Sequence, residues 1–159
     1  MLPPLRANDI RNAADLASHY RQYLRVLNQG TLDLLHLFVA RAVKYNDKTV
    51  SLNAYSTLIP KSANVYPHDI VTDVSARTVA ARLHVEVPAS SVANGGTDSP
   101  SSNGVESYTQ FVFYRFDEHW HISQVWTADL NRTPSNSNGN GGSNGTTATV
   151  RKAAPRGLA

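Results

Sequence analysis

The chain contains no cysteine, so disulfides, thiolate nucleophiles and cysteine-based zinc sites are excluded at the outset. Charged residues are sparse, at 17%, and no apolar run approaches the roughly 20 residues that a membrane-spanning helix needs. A hydrophobic share of 41% nevertheless excludes a wholly disordered chain. No phosphate loop, dinucleotide-binding glycine motif or serine-nucleophile elbow is found. The opening MLPPLRANDIR lacks an apolar core and a cleavage site, which favours a cytosolic location and makes the Asn131 and Asn144 sequons incidental. With 159 residues there is material for one core and a tail, not for two cores.

Acidic residues are also missing from the last stretch. Residues 131–159 carry Arg132, Arg151, Lys152 and Arg156 without an acid, whereas residues 1–130 balance 11 Lys and Arg against 12 Asp and Glu. The net charge of +3 therefore belongs to the tail, and neither a nucleic acid nor a membrane is expected as partner of the folded part. Residues 1–130 are expected to form one domain. Residues 131–159, rich in Asn, Gly and Ser, are expected to be disordered. A second polar stretch, Pro88 to Gly104, reads as a long hairpin loop, either a lid or a tolerated insertion.

What is present is periodicity, and it changes once. From Asn8 to Asn28 the apolar positions Ile10, Ala13, Leu16, Ala17, Tyr20, Tyr23, Leu24 and Leu27 follow helical spacing behind an Asn8/Asp9 cap, and Gly30 ends the helix. Thr31 is expected to cap a second helix marked by Leu34, Leu35, Phe38, Val39 and Ala42. A third starts at Ser51 and runs to Pro60 with Leu52, Tyr55, Leu58 and Ile59.

Beyond Pro60 the period becomes two. Val65 to Val74, Val79 to Val87, Tyr108 to Phe116 and His121 to Leu130 read as strands, the last two joined by Asp117-Glu118-His119-Trp120. Helices followed by an antiparallel meander predict an α+β cone, three helices packed on one face of a curved sheet. If Val79, Ala81, Leu83 and Val85 face the helices, Arg82, His84 and Glu86 form an outer row that serves as surface or interface. Tyr108, Gln110, Val112, Tyr114 and Phe116 share one face of their strand. Gln124, Trp126 and Ala128 share one face of the last strand. If both faces point inward, the pocket is aromatic and nearly uncharged, suited to a flat apolar ligand with several oxygens.

Several segments then agree in order and spacing with one family. Tyr23-Leu24-Arg25-Val26-Leu27-Asn28-Gln29-Gly30 with Leu32-Asp33, Val43-Lys44-Tyr45-Asn46-Asp47, Tyr55, Val79-Ala80-Ala81-Arg82-Leu83, Phe113-Tyr114-Arg115-Phe116 and Ile122-Ser123-Gln124-Val125-Trp126 resemble the SnoaL-like branch of the NTF2-like superfamily. The resemblance spans residues 14–130. The VAARL segment and the Tyr-Arg-Phe strand end are similar to members from fungal polyketide and meroterpenoid clusters.

This resemblance implies a cofactor-independent cyclase or isomerase of a polyketide- or terpenoid-like intermediate, and a homodimer formed through the sheet. A ketosteroid-isomerase-like pattern in the superfamily carries over to Tyr23 as donor and Asp47 as base, with Val112 where a further acid donor would stand. SnoaL-type cyclases place an acid/base aspartate four residues after the tryptophan. Here that position is Leu130 and Asp129 precedes it, so Asp129 is expected to point away from Trp126 and out of the cone unless a bulge intervenes. Asn46, Tyr55, Tyr108, Tyr114, Gln124 and Trp126 are the expected substrate contacts, although Tyr23, Tyr45, Tyr55 and Tyr114 serve equally well as core tyrosines.

His119 and His121 lack a nearby third ligand, so no metal is expected, and His19 and His36 read as surface or packing residues. Two other readings stay open: a non-catalytic module that binds a ligand or dimerises, and a transport adaptor resembling nuclear transport factor 2. Convergence of Asp47 and Tyr23 on one enclosed cavity would favour the enzyme, whereas a filled cone, or side chains aimed at solvent, would favour the module.

Overall fold

The computed structural model describes residues 9–88 and 105–130. The tail, its sequons, Asn8 and residues 89–104 of the polar loop lie outside the described residues. Helix α1 spans Ala13–Gln29 behind a capping box: the Asp15 N–H donates to Asn12 Oδ1 at 3.0 Å, and the Asn12 N–H to Asp15 Oδ2 at 3.2 Å. The cap is thus Asn12 and not the expected Asn8/Asp9. Three residues after Asn8 and Asp9 stand Arg11 and Asn12, neither of which returns a carboxylate to the cap. Leu16, Tyr20, Tyr23 and Leu24 are buried along one stripe, and Gly30, at φ 65°, closes the helix with its N–H on the Leu27 carbonyl.

The expected second helix is mostly absent. Leu32–Leu37 forms a 3₁₀ turn without a side-chain bond from Thr31, and Val39 and Ala42 belong to strand β1, Val39–Tyr45. Val39 and Val43, four apart, are both buried; that spacing suits a helix, but it is also two strand repeats. Tertiary pairing decides between them, beginning where the Ile122 N–H donates to the Phe38 carbonyl at 2.7 Å. A tight turn through Asn46 and Asp47 leads to β2, Lys48–Ser51, and then to α2, Leu52–Leu58, with Ser51, the expected start of the helix, as its cap.

The remaining strands are β3, Asn64–Asp73, β4, Thr78–Pro88, β5, Val105–Phe116, and β6, Ile122–Leu130, close to the spans read from the alternation. Six strands lie in the order β2-β1-β6-β5-β4-β3, antiparallel except for the parallel pair β1 and β6. On β4 the alternation is as read: Val79, Ala81, Leu83, Val85 and Val87 are buried, whereas Arg82 is exposed and His84 and Glu86 are half-buried on the other face.

On β6 the phase is inverted by one residue. Phe116 pairs with Ile122, but Arg115 pairs with Gln124, so Ser123 is an extra residue, with its Oγ donating to the Arg115 carbonyl at 3.2 Å. Beyond this bulge Val125 lies opposite the inward Tyr114 and Asp129 opposite Gln110, while Gln124, Trp126 and Ala128 fall on the outer face. The expected inward face of the last strand is therefore its outward one. Asp129 does point away from Trp126, as expected, but that direction is into the cone.

Candidate active site

The cone encloses a cavity of about 120 Å³ between the helices and the inner sheet face. Its floor is phenolic. Tyr23 from α1 and Tyr55 from α2 bring their hydroxyls to 2.7 Å, and the Tyr23 and Tyr114 rings meet edge-on at 5.7 Å. Tyr20, whose ring is 5.2 Å from that of Tyr114, extends the group behind the floor. Burial, the largest influence, pushes the hydroxyls of Tyr20, Tyr23 and Tyr55 well above the ordinary tyrosine value, and lifts Tyr114 to about 12. All four are neutral O–H groups at any physiological pH. A phenol pair contains two hydrogens and uses one between its own oxygens, leaving one to donate elsewhere.

The side walls are apolar, built from Leu27, Ala63, Val65, Leu83, Val85 and Val125. Polar atoms return at the mouth. Asp129 and Gln110 face one another across β5 and β6, with Gln110 Nε2 donating to Asp129 Oδ1 at 2.8 Å. Tyr45 and Thr127, with oxygens 3.2 Å apart, complete the polar side, and Leu58, Ile59 and Pro60 rim the opening.

Of the residues singled out from the sequence, Tyr23, Tyr55, Tyr108, Tyr114 and Asp129 line this cavity. Asp47, Asn46, Gln124 and Trp126 do not. Asp47 sits in the β1–β2 turn at φ 69°, its side chain 73% exposed and 3.4 Å from Lys44 Nζ, so Asp47 and Tyr23 do not converge. Their pairing is carried over from a pattern that places the base just after a second helix, whereas here Val39–Tyr45 is a strand. Asn46 holds the turn onto β6: its Oδ1 accepts from the Thr127 N–H at 2.9 Å and its own N–H donates to the Val125 carbonyl. Gln124 and Trp126 are on the outer face, where Trp126 packs 5.5 Å from Phe113. Gln110 and Thr127 are site residues the sequence reading did not assign; Gln110 was placed on the correct face, and Thr127 was hidden by the bulge.

The histidines lie elsewhere. His19 is buried between Phe38 and Phe116, its Nε2–H donating to the Trp120 carbonyl at 3.0 Å, and burial lowers its pKa. It is a packing residue. Among the described residues no three His, Asp or Glu side chains are grouped to hold a metal ion, and no helix is long and apolar enough to cross a membrane. Outside the cone, Val71, Phe111, Phe113 and Trp126 line an open groove of about 610 Å³ on the outer sheet face.

No protein-family model and no curated protein sequence matches the chain. Solved structures do. A SnoaL-like polyketide cyclase from Agrobacterium tumefaciens superposes with a TM-score of 0.60 at 24% identity, over 77% of this chain and 94% of that one. TsrD from Streptomyces laurentii gives 0.57 at 12% identity, over 76% and 91%. SalBIII, an epoxide hydrolase/cyclase-like enzyme with a role in pyran ring formation in the polyether salinomycin, gives 0.57 at 12% identity, over 74% and 92%. The α+β cone read from the sequence is thus the fold that the chain shares with SnoaL-like polyketide cyclases.

Proposed function

We propose that the protein is a cofactor-independent cyclase or isomerase that moves a proton beside a carbonyl of a polyketide- or terpenoid-like intermediate. The observation that carries this reading is a carboxylate, Asp129, at the mouth of a cavity whose floor is a hydrogen-bonded phenol pair. The base role expected of Asp47 passes to Asp129, because Asp47 is outside the cavity. Asp129 takes a proton from the carbon beside the substrate carbonyl, and the C–H electron pair moves into a C=C bond as the carbonyl oxygen becomes an oxyanion. The spare O–H of the Tyr23–Tyr55 pair donates to that oxygen, where charge accumulates, in a setting with little water to compete. The enolate carbon then attacks a second carbonyl, the first C=O re-forms and Asp129 returns its proton to the new alkoxide, which closes a ring; in a β,γ-unsaturated ketone the dienolate instead takes that proton from Asp129 at its γ-carbon, which completes an isomerisation. Gln110 orients Asp129 through their shared bond. Tyr108 and Tyr114 hold the apolar body of the substrate.

A homodimer through the outer sheet face belongs to the same proposal, supported by the open groove that Phe111, Phe113 and Trp126 leave there. The non-catalytic binding module is the second reading; the solvent-facing Asp47, which does not converge with Tyr23, favours it, as does the mutual pairing of Tyr23 and Tyr55, which satisfies part of their bonding capacity.

Proton abstraction can be read without the natural substrate, from exchange of the α-hydrogens of cyclohexanone in deuterium oxide by NMR. The protein accelerates exchange over buffer, Asp129→Asn loses on the order of 10²-fold, and Asp47→Asn leaves the rate in place. Undiminished exchange by Asp129→Asn would sink the proposed base and favour the binding module.

A further inference from the structure

The cavity's size restricts its occupant more than its chemistry does. An apolar cavity of about 150 Å³ accepts benzene, whereas sites for drug-sized ligands run from roughly 300 Å³ upward. At about 120 Å³, this one is at the lower of those scales. Its back walls cannot easily withdraw. Leu83, Val85 and Val125 are 1%, 2% and 1% exposed, each on a strand paired on both sides, and close-packed interiors resist added volume.

The polar groups are arranged to match. One donor site lies at the floor, on the Tyr23–Tyr55 pair, and one carboxylate lies at the mouth, with apolar wall between them. That arrangement fits a ring with one oxygen pointing inward and an acidic carbon near the opening.

We propose that the interior site admits one six-membered ring, or a chain segment of the same bulk, oxygen first, and excludes fused polycyclic ketones. The substrate class is then a monocyclic or ring-forming ketone unit, with any larger body joined to it by a flexible single bond, not fused, so that it stays outside the mouth at Leu58 and Pro60. The oxygen-first orientation rests on the proposed function; the size limit rests on the cavity alone.

The test is titration of the full chain with cyclohexanone, tetralone and tetrahydroanthracenone, read by NMR on the ring protons of the interior tyrosines. Cyclohexanone should shift them with a dissociation constant of about a millimolar, and tetralone should bind there at least about tenfold more weakly. Tetrahydroanthracenone should not move them. Binding in the outer groove is distinguished because it shifts the Trp126 indole instead. Leu27→Ala, which widens the cavity, should bring tetralone to within about threefold of cyclohexanone. If that variant does not fold, the wild-type series decides alone.

Tetralone binding at the tyrosines as tightly as cyclohexanone would overturn the proposal, since an open pocket rewards the added apolar area of a second ring. Failure of every ketone to move those resonances would overturn it too. The two proposals fail separately: ring selectivity without exchange removes the chemistry, and exchange without ring selectivity removes the size limit.

Discussion

At the residue scale, Tyr55 and His19 show burial acting on two polar groups with different consequences. Tyr55→Phe removes one member of the 2.7 Å phenol pair and leaves the Tyr23 hydroxyl with one partner fewer in a buried site. We expect a loss of about 1 kcal/mol in denaturant unfolding. Cyclohexanone exchange should slow at least about tenfold only when both hydroxyls are removed, in Tyr23→Phe/Tyr55→Phe, because Tyr23 alone still has one O–H to donate. His19 makes one hydrogen bond through Nε2, while its buried Nδ1 has no partner, so a proton added there finds no acceptor. Its pKa in the folded chain lies below the ordinary 6.5, chiefly through burial. The unfolded chain therefore binds the proton more readily. Stability from this group is complete above about pH 6.5 and is lost as the pH falls, by at most about 1.4 kcal/mol per pH unit. Unfolding of His19→Leu measured from pH 7.5 to 5 should lack this component; an unchanged slope would assign it to other groups.

At the element scale, one extra residue in β6 shifts the phase of its faces relative to Ile122. Deleting Ser123 would make the ladder continuous with Ile122 opposite Phe116, Gln124 opposite Arg115 and Val125 opposite Tyr114, so Val125 and Asp129 would keep the inner face and Trp126 the outer one. We expect a loss on the order of 1 kcal/mol from the altered local twist, with exchange activity retained. Ser123→Ala, which keeps the extra residue and removes only the bond to the Arg115 carbonyl, should cost about 1 kcal/mol or less. Denaturant unfolding of the two variants separates the bulge from the hydroxyl. At the end of α1, Gly30 is at φ 65° with nothing within 4 Å of a built Cβ, so Gly30→Ala meets open space and pays only for the left-handed backbone. Thermal unfolding should show about 1 kcal/mol of destabilisation.

The elements also differ in how far they could be read from residues alone. The helical stripe of α1 and the alternation of β4 each involve many positions with a single period, and both were legible. The cap was displaced from Asn8/Asp9 to Asn12 because reciprocal bonding with Asp15 outweighs a lone side-chain cap. Strand β1 was not legible, since Val39 and Val43 satisfy both periods at once. The pattern that carries Asp47 over as base places the carboxylate just after a second helix, and in this chain that position follows a strand.

At the scale of the whole molecule, the groove on the outer sheet face invites a second copy. Phe111 and Phe113 are 44% and 37% exposed and Val71 is 68% exposed around it, with Arg82 and Asp69 ion-paired at 2.8 Å nearby. In sedimentation, the wild-type chain should run as a dimer and Phe113→Asp as a monomer, because a charge on that face would be buried without a partner. A monomeric wild type would remove the dimer from the proposal. Interior and exterior sites are also segregated at this scale. Phenols and apolar walls line the cone, while the larger and more open concavity lies outside it, away from Asp129.

Local patterning by itself determined the kinds of element in α1, α2 and β3 to β6 and the inner face of β4 and β5. Those properties repeat along a few neighbouring residues, so they need no knowledge of distant parts of the chain. Only the tertiary structure decided that residues 39–45 extend beside β6, that Trp126 faces outward and Asp129 inward, and that Asp47 stays in solvent. Each of these depends on which strand supplies the hydrogen-bond partner and on where a single residue bulges out of register. The first is settled between segments 81 positions apart, as in the bonds between Asn46 and Thr127, and the second within the β5–β6 hairpin, where the Ser123 hydroxyl donates to the Arg115 carbonyl.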